Sequence, residues 1–298
     1  MNKINKPLVS ELGGIPVILS FIISLIFSFL FYIIFSFDIF NIYNLFILFS
    51  VFLIIMLIAF LGFIDDTLGW KKGISQFQHF LYPIIFSLPI ILLTLFFGKT
   101  SFYIPLFGNL YIGVLYSFLL VPIAITATTN AFNLLAGYNG LEAGLGIIIF
   151  FTISIFTIFE QNFIILIILA CWVGALFGFL HFNKFPSRIF PGDIITLVNG
   201  VLAGVCAIIL NLEILIAFLI ILFIIEFIIK AKYKFKTECF GIISKNGIIK
   251  PNPKKGSLIH FVLSKGVFTE RKLVYFFYII QILISVISLV LYFLIFYN

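Results

Sequence analysis

The chain has 298 residues, 63% of them apolar and 10% charged, with a formal net charge of +7 and a mean hydropathy of +1.29. Soluble domains carry about 25% charged residues, so an ordinary soluble protein is excluded, and the pI near 9.2 reads as a basic membrane face rather than nucleic-acid binding. Cys171, Cys206 and Cys239 lie far apart, which excludes a disulfide framework or a CxxC metal site and leaves three small buried hydrophobes.

A hydrocarbon core about 30 Å thick takes roughly 20 apolar residues in a helix. Such runs are Ile15 to Phe37, Asn44 to Ile64, Phe77 to Phe97, Leu110 to Thr128, Leu145 to Phe159, Phe163 to Leu180, Ile194 to Leu210, Leu212 to Ile229 and Leu273 to Phe296. The fold class they predict is all-α: a polytopic integral membrane protein with about nine transmembrane helices, read as a single domain over 1–298. The first run is too long for a signal peptide and no small-residue cleavage site follows, so it is expected to remain in the mature protein. With the N-terminus inside, every lysine and arginine but Lys99 falls on the inner side, the distribution of a cytoplasmic face. The C-terminus is then outside.

Acidic residues are costly in such a chain and tend to mark function. The first motif, FLGFIDDTLGWKKG from Phe60 to Gly73, ends the second span with Asp65 and Asp66 and continues into Lys71 and Lys72. Adjacent carboxylates repel, so keeping both ionised requires a cation; the plainer reading is a solvated helix end with snorkelling lysines. His79, beside the third span, reads as a satisfied interfacial histidine near the Asp65 loop. The second motif, TTNAFNLLAGYNGLEAG from Thr128 to Gly144, places Asn130 and Asn133 on one helical face before a turn built from Gly137, Asn139 and Gly140. Carboxamide oxygens suit hard cations and glycines admit a ligand close to the backbone, although Asn-rich turns are also ordinary turns. The third, HFNKFPSRIFPGD from His181 to Asp193, ends on an acid that begins the next span and that an N-cap would equally explain. Gly174/Gly178 and Gly200/Gly204 read as helix-packing pairs, and Glu226 as an i,i+4 partner of Lys230. Gly98–Thr100 lacks the first glycine of a phosphate-binding loop, and no GxGxxG, HExxH or GxSxG occurs. His260, in a lysine-rich loop, is left open.

Three inner segments from distant parts of the chain thus each present a carboxylate or carboxamide beside a cation or a glycine turn. Together with Asn2, Lys3, Lys6, Pro7, Glu11 and Gly14 at the start and TERKLVYFFYIIQ near the end, these motifs closely resemble the polyprenyl-phosphate N-acetylhexosamine-1-phosphate transferase superfamily (glycosyltransferase family 4). The likeness covers nearly the whole chain in the right order, and is greatest to the dolichyl-phosphate GlcNAc-1-phosphotransferase branch.

The resemblance implies transfer of GlcNAc-1-phosphate from UDP-GlcNAc to a polyprenyl or dolichyl phosphate, with release of UMP. It implies Mg²⁺ or Mn²⁺ as cofactor, and a multi-pass protein of the cell membrane with its active site on the cytoplasmic face, formed by loops 65–76, 129–143, 181–193 and 230–272. Carried over by motif, Asn133 and Asp193 would hold the metal. Asp65 and Asp66 would sit beside it, one orienting or deprotonating the lipid phosphate, and Lys72, or Lys71, would hold that phosphate. Gly137, Asn139 and Phe190 would shape the nucleoside site and Glu11 would border it. Two departures stand out. The family has a further helix before the Asn2–Pro7 segment, so a span is expected to be absent or to precede the given start. The family's Arg-His-Arg diphosphate cluster is replaced by KAKYKFKTECFG, which makes Lys232, Lys234 and Lys236 the expected substitutes, or else an electrostatic tether only.

The expected partners are a UDP-N-acetylhexosamine, the polyprenyl phosphate and membrane lipid, with no nucleic acid and room for a homodimer. The rival readings are another UDP-N-acetylhexosamine as donor and, in a different class, a membrane transporter. A transporter predicts carboxylates at mid-membrane and paired broken helices, whereas these acids gather at one interface and no internal repeat is visible.

Overall fold

The computed structural model describes residues 9–34, 41–69, 73–105, 107–244, 246–253 and 256–296. Lys71, Lys72 and the Asn2–Pro7 motif lie outside the described residues. Chain order runs α1 (Gly14–Ile34), α2 (Ile42–Leu68), α3 (Gln76–Phe86), α4 (Leu88–Phe96), β1 (Ser101–Ile104), β2 (Gly108–Tyr111) and α5 (Val121–Leu134), the last preceded by a wide π turn over Tyr116–Leu120. It continues with α6 (Leu141–Phe159), α7 (Phe163–Asn183), α8 (Gly192–Leu210), α9 (Glu213–Leu219), α10 (Ile221–Lys232), β3 (Ile242–Ile243), β4 (Ile248–Lys250), α11 (Leu258–Lys265), β5 (Phe268–Thr269) and α12 (Glu270–Phe296).

Among the described residues, eight helical stretches are long and apolar enough to cross a membrane, and α9 with α10 make a ninth if the pair counts as one span. The all-α polytopic class therefore holds, with two corrections. The fourth span begins at Tyr116 and runs to Leu134, six residues later than hydropathy suggests, because Ser101–Tyr111 folds into an antiparallel hairpin. The expected Leu212 to Ile229 span is broken at Ile220 by a bend of 77°. The carbonyl of Leu219 at that break accepts a 2.9 Å hydrogen bond from Gln281 Nε2 of α12, and Gln281 is fully buried. A side chain from elsewhere thus satisfies a polar group that lipid could not.

Helix α8 is the axis of the bundle, packed between α2 and α5 with nearly every residue buried. Close approach needs small residues there: a Cβ on Gly200 would strike the backbone of Thr128 and Thr129, so that pair of glycines packs as expected. Gly174 and Gly178 do not, since open space surrounds both. Asn199, midway along α8, accepts from Trp172 Nε1 at 2.9 Å and donates to the Glu142 carbonyl at 3.3 Å, tying α7 and α6 to the axis.

Alternating helix directions bring the ends of α2, α5, α7 and α10 and the starts of α6, α8 and α12 to one end of the bundle. There the small β3–β4–β5 sheet also forms, and Ser10 bridges Ile189 in parallel fashion. The opposite end holds Lys99, whose Nζ donates to Glu213 Oε1 at 3.1 Å and to the Ile208 carbonyl. Burial pulls Lys99 below the usual lysine range while Glu213 opposes the shift.

Candidate active site

The site is organised where the end of α2 meets the start of α8. Helix α8 begins after Pro191, which supplies no capping side chain, so its first N–H groups need an acceptor. Asp66 provides it: Oδ1 accepts from the Asp193 N–H at 2.7 Å and Oδ2 from the Ile194 N–H at 3.4 Å. Asp193 is therefore capped rather than the cap. Gly192 permits this approach, because its φ is +65° and a Cβ would run into the Asp66 carboxylate and the Glu11 carbonyl.

Asp193 is held from α5 by Asn133, whose Nδ2 donates to Asp193 Oδ2 at 3.1 Å. Asn133 Oδ1 accepts from Thr196 Oγ1 at 3.0 Å, which orients the carboxamide and leaves one lone pair of that oxygen unused. Asp65 faces the other side of Asp193, accepts from the Ile74 N–H, and lies 3.4 Å from His79 Nε2. Ligand atoms of Asp65, His79 and Asp193 all fall within 4.8 Å of one another. Asn130 does not share this cluster with Asn133: its Nδ2 donates to the His79 carbonyl at 3.0 Å and the Thr126 carbonyl at 2.9 Å. It ties α3 to α5.

Beside this cluster opens a cavity of about 730 Å³, lined among others by Glu11, Asp66, Asn133, Gly137, Phe190 and Asp193. That volume is in the range of pockets that bury a drug-sized ligand. Glu11 and Phe190 are placed together because the Phe190 N–H donates to the Ser10 carbonyl at 2.8 Å and the Gly13 N–H to the Phe190 carbonyl at 3.0 Å. Gly137 adopts φ +103° against the ring of Phe240, and its N–H donates to Glu142. Asn139 stands apart: its N–H donates to Glu270 Oε1 at 2.9 Å, and it lines a second cavity of about 490 Å³ with Phe190 and Arg271.

The lysines are redistributed. Lys232, Lys234 and Lys236 are exposed and do not line the 730 Å³ cavity. Lys230 does, buried, with Nζ donating to the Leu134 carbonyl at 2.8 Å and lying 3.6 Å from Glu226. The i,i+4 pair is thus present, and Glu226 also accepts from the Leu258 N–H at 2.6 Å, capping α11. Cys239 lines the same wall, its thiol pushed up to about 11 by burial. Tyr138 donates to the Cys239 carbonyl at 3.2 Å and accepts from the Gly241 N–H at 3.1 Å, and burial raises its phenol well above the usual range. His260, 3.1 Å from the Phe240 carbonyl through Nε2, braces that loop from behind. The sequence does not single out Thr196, and it suggests only a satisfied interfacial role for His79 and a partner of Glu226 for Lys230. For Lys230 the signal was an apolar helix ending on a cation opposite the GYNG turn.

The sequence profile described as glycosyl transferase family 4 matches residues 48–211, from α2 to the end of α8. A protein of Sulfolobus acidocaldarius, provisionally named a UDP-N-acetylglucosamine–dolichyl-phosphate N-acetylglucosaminephosphotransferase, is 34% identical over 296 residues, 97% of this chain and 86% of its own length. The chain belongs to glycosyl transferase family 4. A like-named protein of Saccharolobus solfataricus is 32% identical over 98% of this chain and 86% of its own. A phospho-N-acetylmuramoyl-pentapeptide-transferase of Chlamydia trachomatis is 31% identical over 53% of this chain and 51% of its own. This family 4 member is a phosphoglycosyl transferase with many apolar helices.

The donor set at the α2–α8 contact suits a divalent cation. Asp65 and Asp193 offer carboxylate oxygens, Asn133 a carboxamide oxygen and His79 a ring nitrogen. Among the described residues no lysine or arginine forms an ion pair with Asp65, Asp66 or Asp193. A concentration of carboxylates that no described lysine or arginine pairs with favours a bound cation.

Proposed function

We propose that this chain transfers GlcNAc-1-phosphate from UDP-GlcNAc to a dolichyl or other polyprenyl phosphate, releasing UMP. The observation that carries the reading is the convergence of Asp65, Asp66, Asn133 and Asp193 beside one cavity large enough for a nucleotide sugar. Similarity to the two archaeal proteins over almost the whole chain names the reaction. The orientation proposed puts this end of the bundle in the cytoplasm, because the chain's cations gather there.

An oxygen of the lipid phosphate attacks the β-phosphorus of UDP-GlcNAc, and the bond from that phosphorus to the α–β bridging oxygen breaks as UMP leaves. One phosphoanhydride replaces another, so the protein's work is alignment and charge neutralisation. Asn133 and Asp193 would hold Mg²⁺ or Mn²⁺ with Asp65 beside them; the ion supplies charge neutralisation at the diphosphate. Asp66 fixes the N-terminus of α8 by accepting the N–H groups of Asp193 and Ile194. Lys72 or Lys71 is proposed to take the lipid phosphate. Gly137 and Phe190 shape the nucleoside pocket bordered by Glu11, while Asn139 positions the GYNG turn through Glu270 rather than touching the nucleoside. Lys230 is the cation on the cavity wall, and Lys232, Lys234 and Lys236 serve as an exposed electrostatic attractor.

The test is membranes bearing this chain, supplied with Mg²⁺, dolichyl phosphate and radiolabelled UDP-GlcNAc. Label in the organic phase with stoichiometric UMP is expected. Silence with UDP-GlcNAc but turnover with another UDP-N-acetylhexosamine would replace the sugar; silence with all would end the reading.

A further inference from the structure

His79 has no place in the reaction as described above, yet the structure puts its imidazole inside the carboxylate cluster. It is the fourth residue of α3, whose start is fixed by a capping box between Ser75 and Gln78. Its carbonyl is tied to α5 by Asn130 Nδ2 at 3.0 Å. Both ends of the local backbone are thus held, and the ring, 14% exposed, points Nε2 at Asp65 Oδ2 across 3.4 Å. Two ligands each about 2.1 Å from one ion stand roughly 3–4.2 Å apart, so this spacing is already that of a ligand pair, and Asp193 lies within 4.8 Å of both. The other ring nitrogen, Nδ1, is buried with no protein hydrogen-bond partner among the described residues. The ring is thus not the fully satisfied interfacial histidine expected from the sequence, and the polar contact of its Nε2 is with Asp65 in the carboxylate cluster.

We propose that His79 Nε2 is a ligand of the divalent cation, and that this nitrogen makes the site favour Mn²⁺ over Mg²⁺. The inference rests on the reading above that the α2–α8 contact holds a divalent cation. Mg²⁺ prefers oxygen ligands and sheds water reluctantly, whereas imidazole suits transition metals. An otherwise all-oxygen set of Asp65, Asp193 and Asn133 would discriminate weakly. One nitrogen changes that.

The experiment is Mn²⁺ bound to the purified full chain in nanodiscs, read by electron spin echo envelope modulation, which detects a directly coordinated ¹⁴N. Wild type is expected to show histidine-type modulation, and His79→Gln to bind Mn²⁺ without it. The other two histidines give no confusion, since His260 Nε2 faces the Phe240 carbonyl and His181 is an exposed residue near the end of α7. In parallel, the ratio of Mn²⁺ to Mg²⁺ affinity, measured by titration calorimetry, should fall by about tenfold or more in His79→Gln, in line with losses seen on disturbing metal-site ligation. His79→Asn serves as the second variant, and thermal melting of each checks that the fold persists. Mn²⁺ binding without ¹⁴N modulation in wild type, or modulation that survives in both variants, overturns the role of His79 and leaves the transferase reading intact. Failure of wild type to bind Mn²⁺ or Mg²⁺ at all, with or without UDP-GlcNAc, overturns both.

Discussion

The Asp66 carboxylate accepts the backbone N–H of Asp193 at 2.7 Å, so one acidic residue caps the helix that presents another. The two carboxylates have different tasks in consequence. Asp66 sets the position and direction of α8, and Asp193 projects from that fixed start toward Asn133 and the cavity.

Asp193→Asn should leave the fold intact, since the amide keeps an oxygen in the same place, but remove the charge at the reaction centre. Turnover should fall by at least about 10²-fold, the scale of losing one preorganised electrostatic group. Lipid-extractable label measures turnover, and an unchanged melting temperature shows that the fold holds. Full activity in this variant would remove Asp193 from the site.

Asp66→Ala should behave differently, losing stability as well as activity. A missing N-cap costs about 0.5–2 kcal/mol, and α8 is the axis on which α2 and α5 pack. Asp66→Asn keeps an acceptor for the Asp193 N–H and should recover most of that stability without recovering turnover. Equal melting temperatures for Asp66→Ala and wild type would contradict the capping role.

Gly192→Ala adds a Cβ where φ is +65° and where the Asp66 carboxylate and Glu11 carbonyl already stand. The left-handed conformation alone costs about 1–2 kcal/mol, and the clash displaces Asp66. Denaturation in detergent should show the loss, with activity falling alongside.

Gln281→Leu leaves the Leu219 carbonyl at the helix break without its donor. An unsatisfied buried acceptor costs about 1–3 kcal/mol, and the bend that aims α10 at the cavity should relax. The expected signature is a raised KM for the nucleotide sugar with a lower melting temperature.

Cys239 has a thiol pushed up to about 11 by burial, against an ordinary value of about 8.5. The folded state favours the neutral thiol, so its contribution is complete below about pH 8.5 and is lost as the pH climbs toward 11. All three cysteines are buried, and a polar maleimide at pH 7.5 should label none of them until denaturant is added. Rapid labelling of Cys239 in the native protein would show that the cavity wall opens.

Hydropathy along the chain was enough for the class of fold, and nearly enough for its spans, because crossing a lipid bilayer constrains each segment by its own length and polarity. The motifs carrying Asp65, Asp66, Asn133 and Asp193 were equally legible, since costly polar residues crowd into short runs of an otherwise apolar sequence. Relations between distant segments were not. No proline or glycine marks Ile220, and the break there depends on Gln281 some sixty residues on. The Ser101–Tyr111 hairpin was hidden within apolar runs that flank a membrane helix. Lys232, Lys234 and Lys236 read as a diphosphate site by charge and order, yet α10 turns them away from the cavity and leaves Lys230 facing it. His79 reads as a satisfied interfacial histidine near the Asp65 loop, and its place 3.4 Å from Asp65 depends on Asn130 tying α3 to α5. Local composition by itself determines what a segment must do with lipid; which side chains meet at the site is decided by how the helices cross.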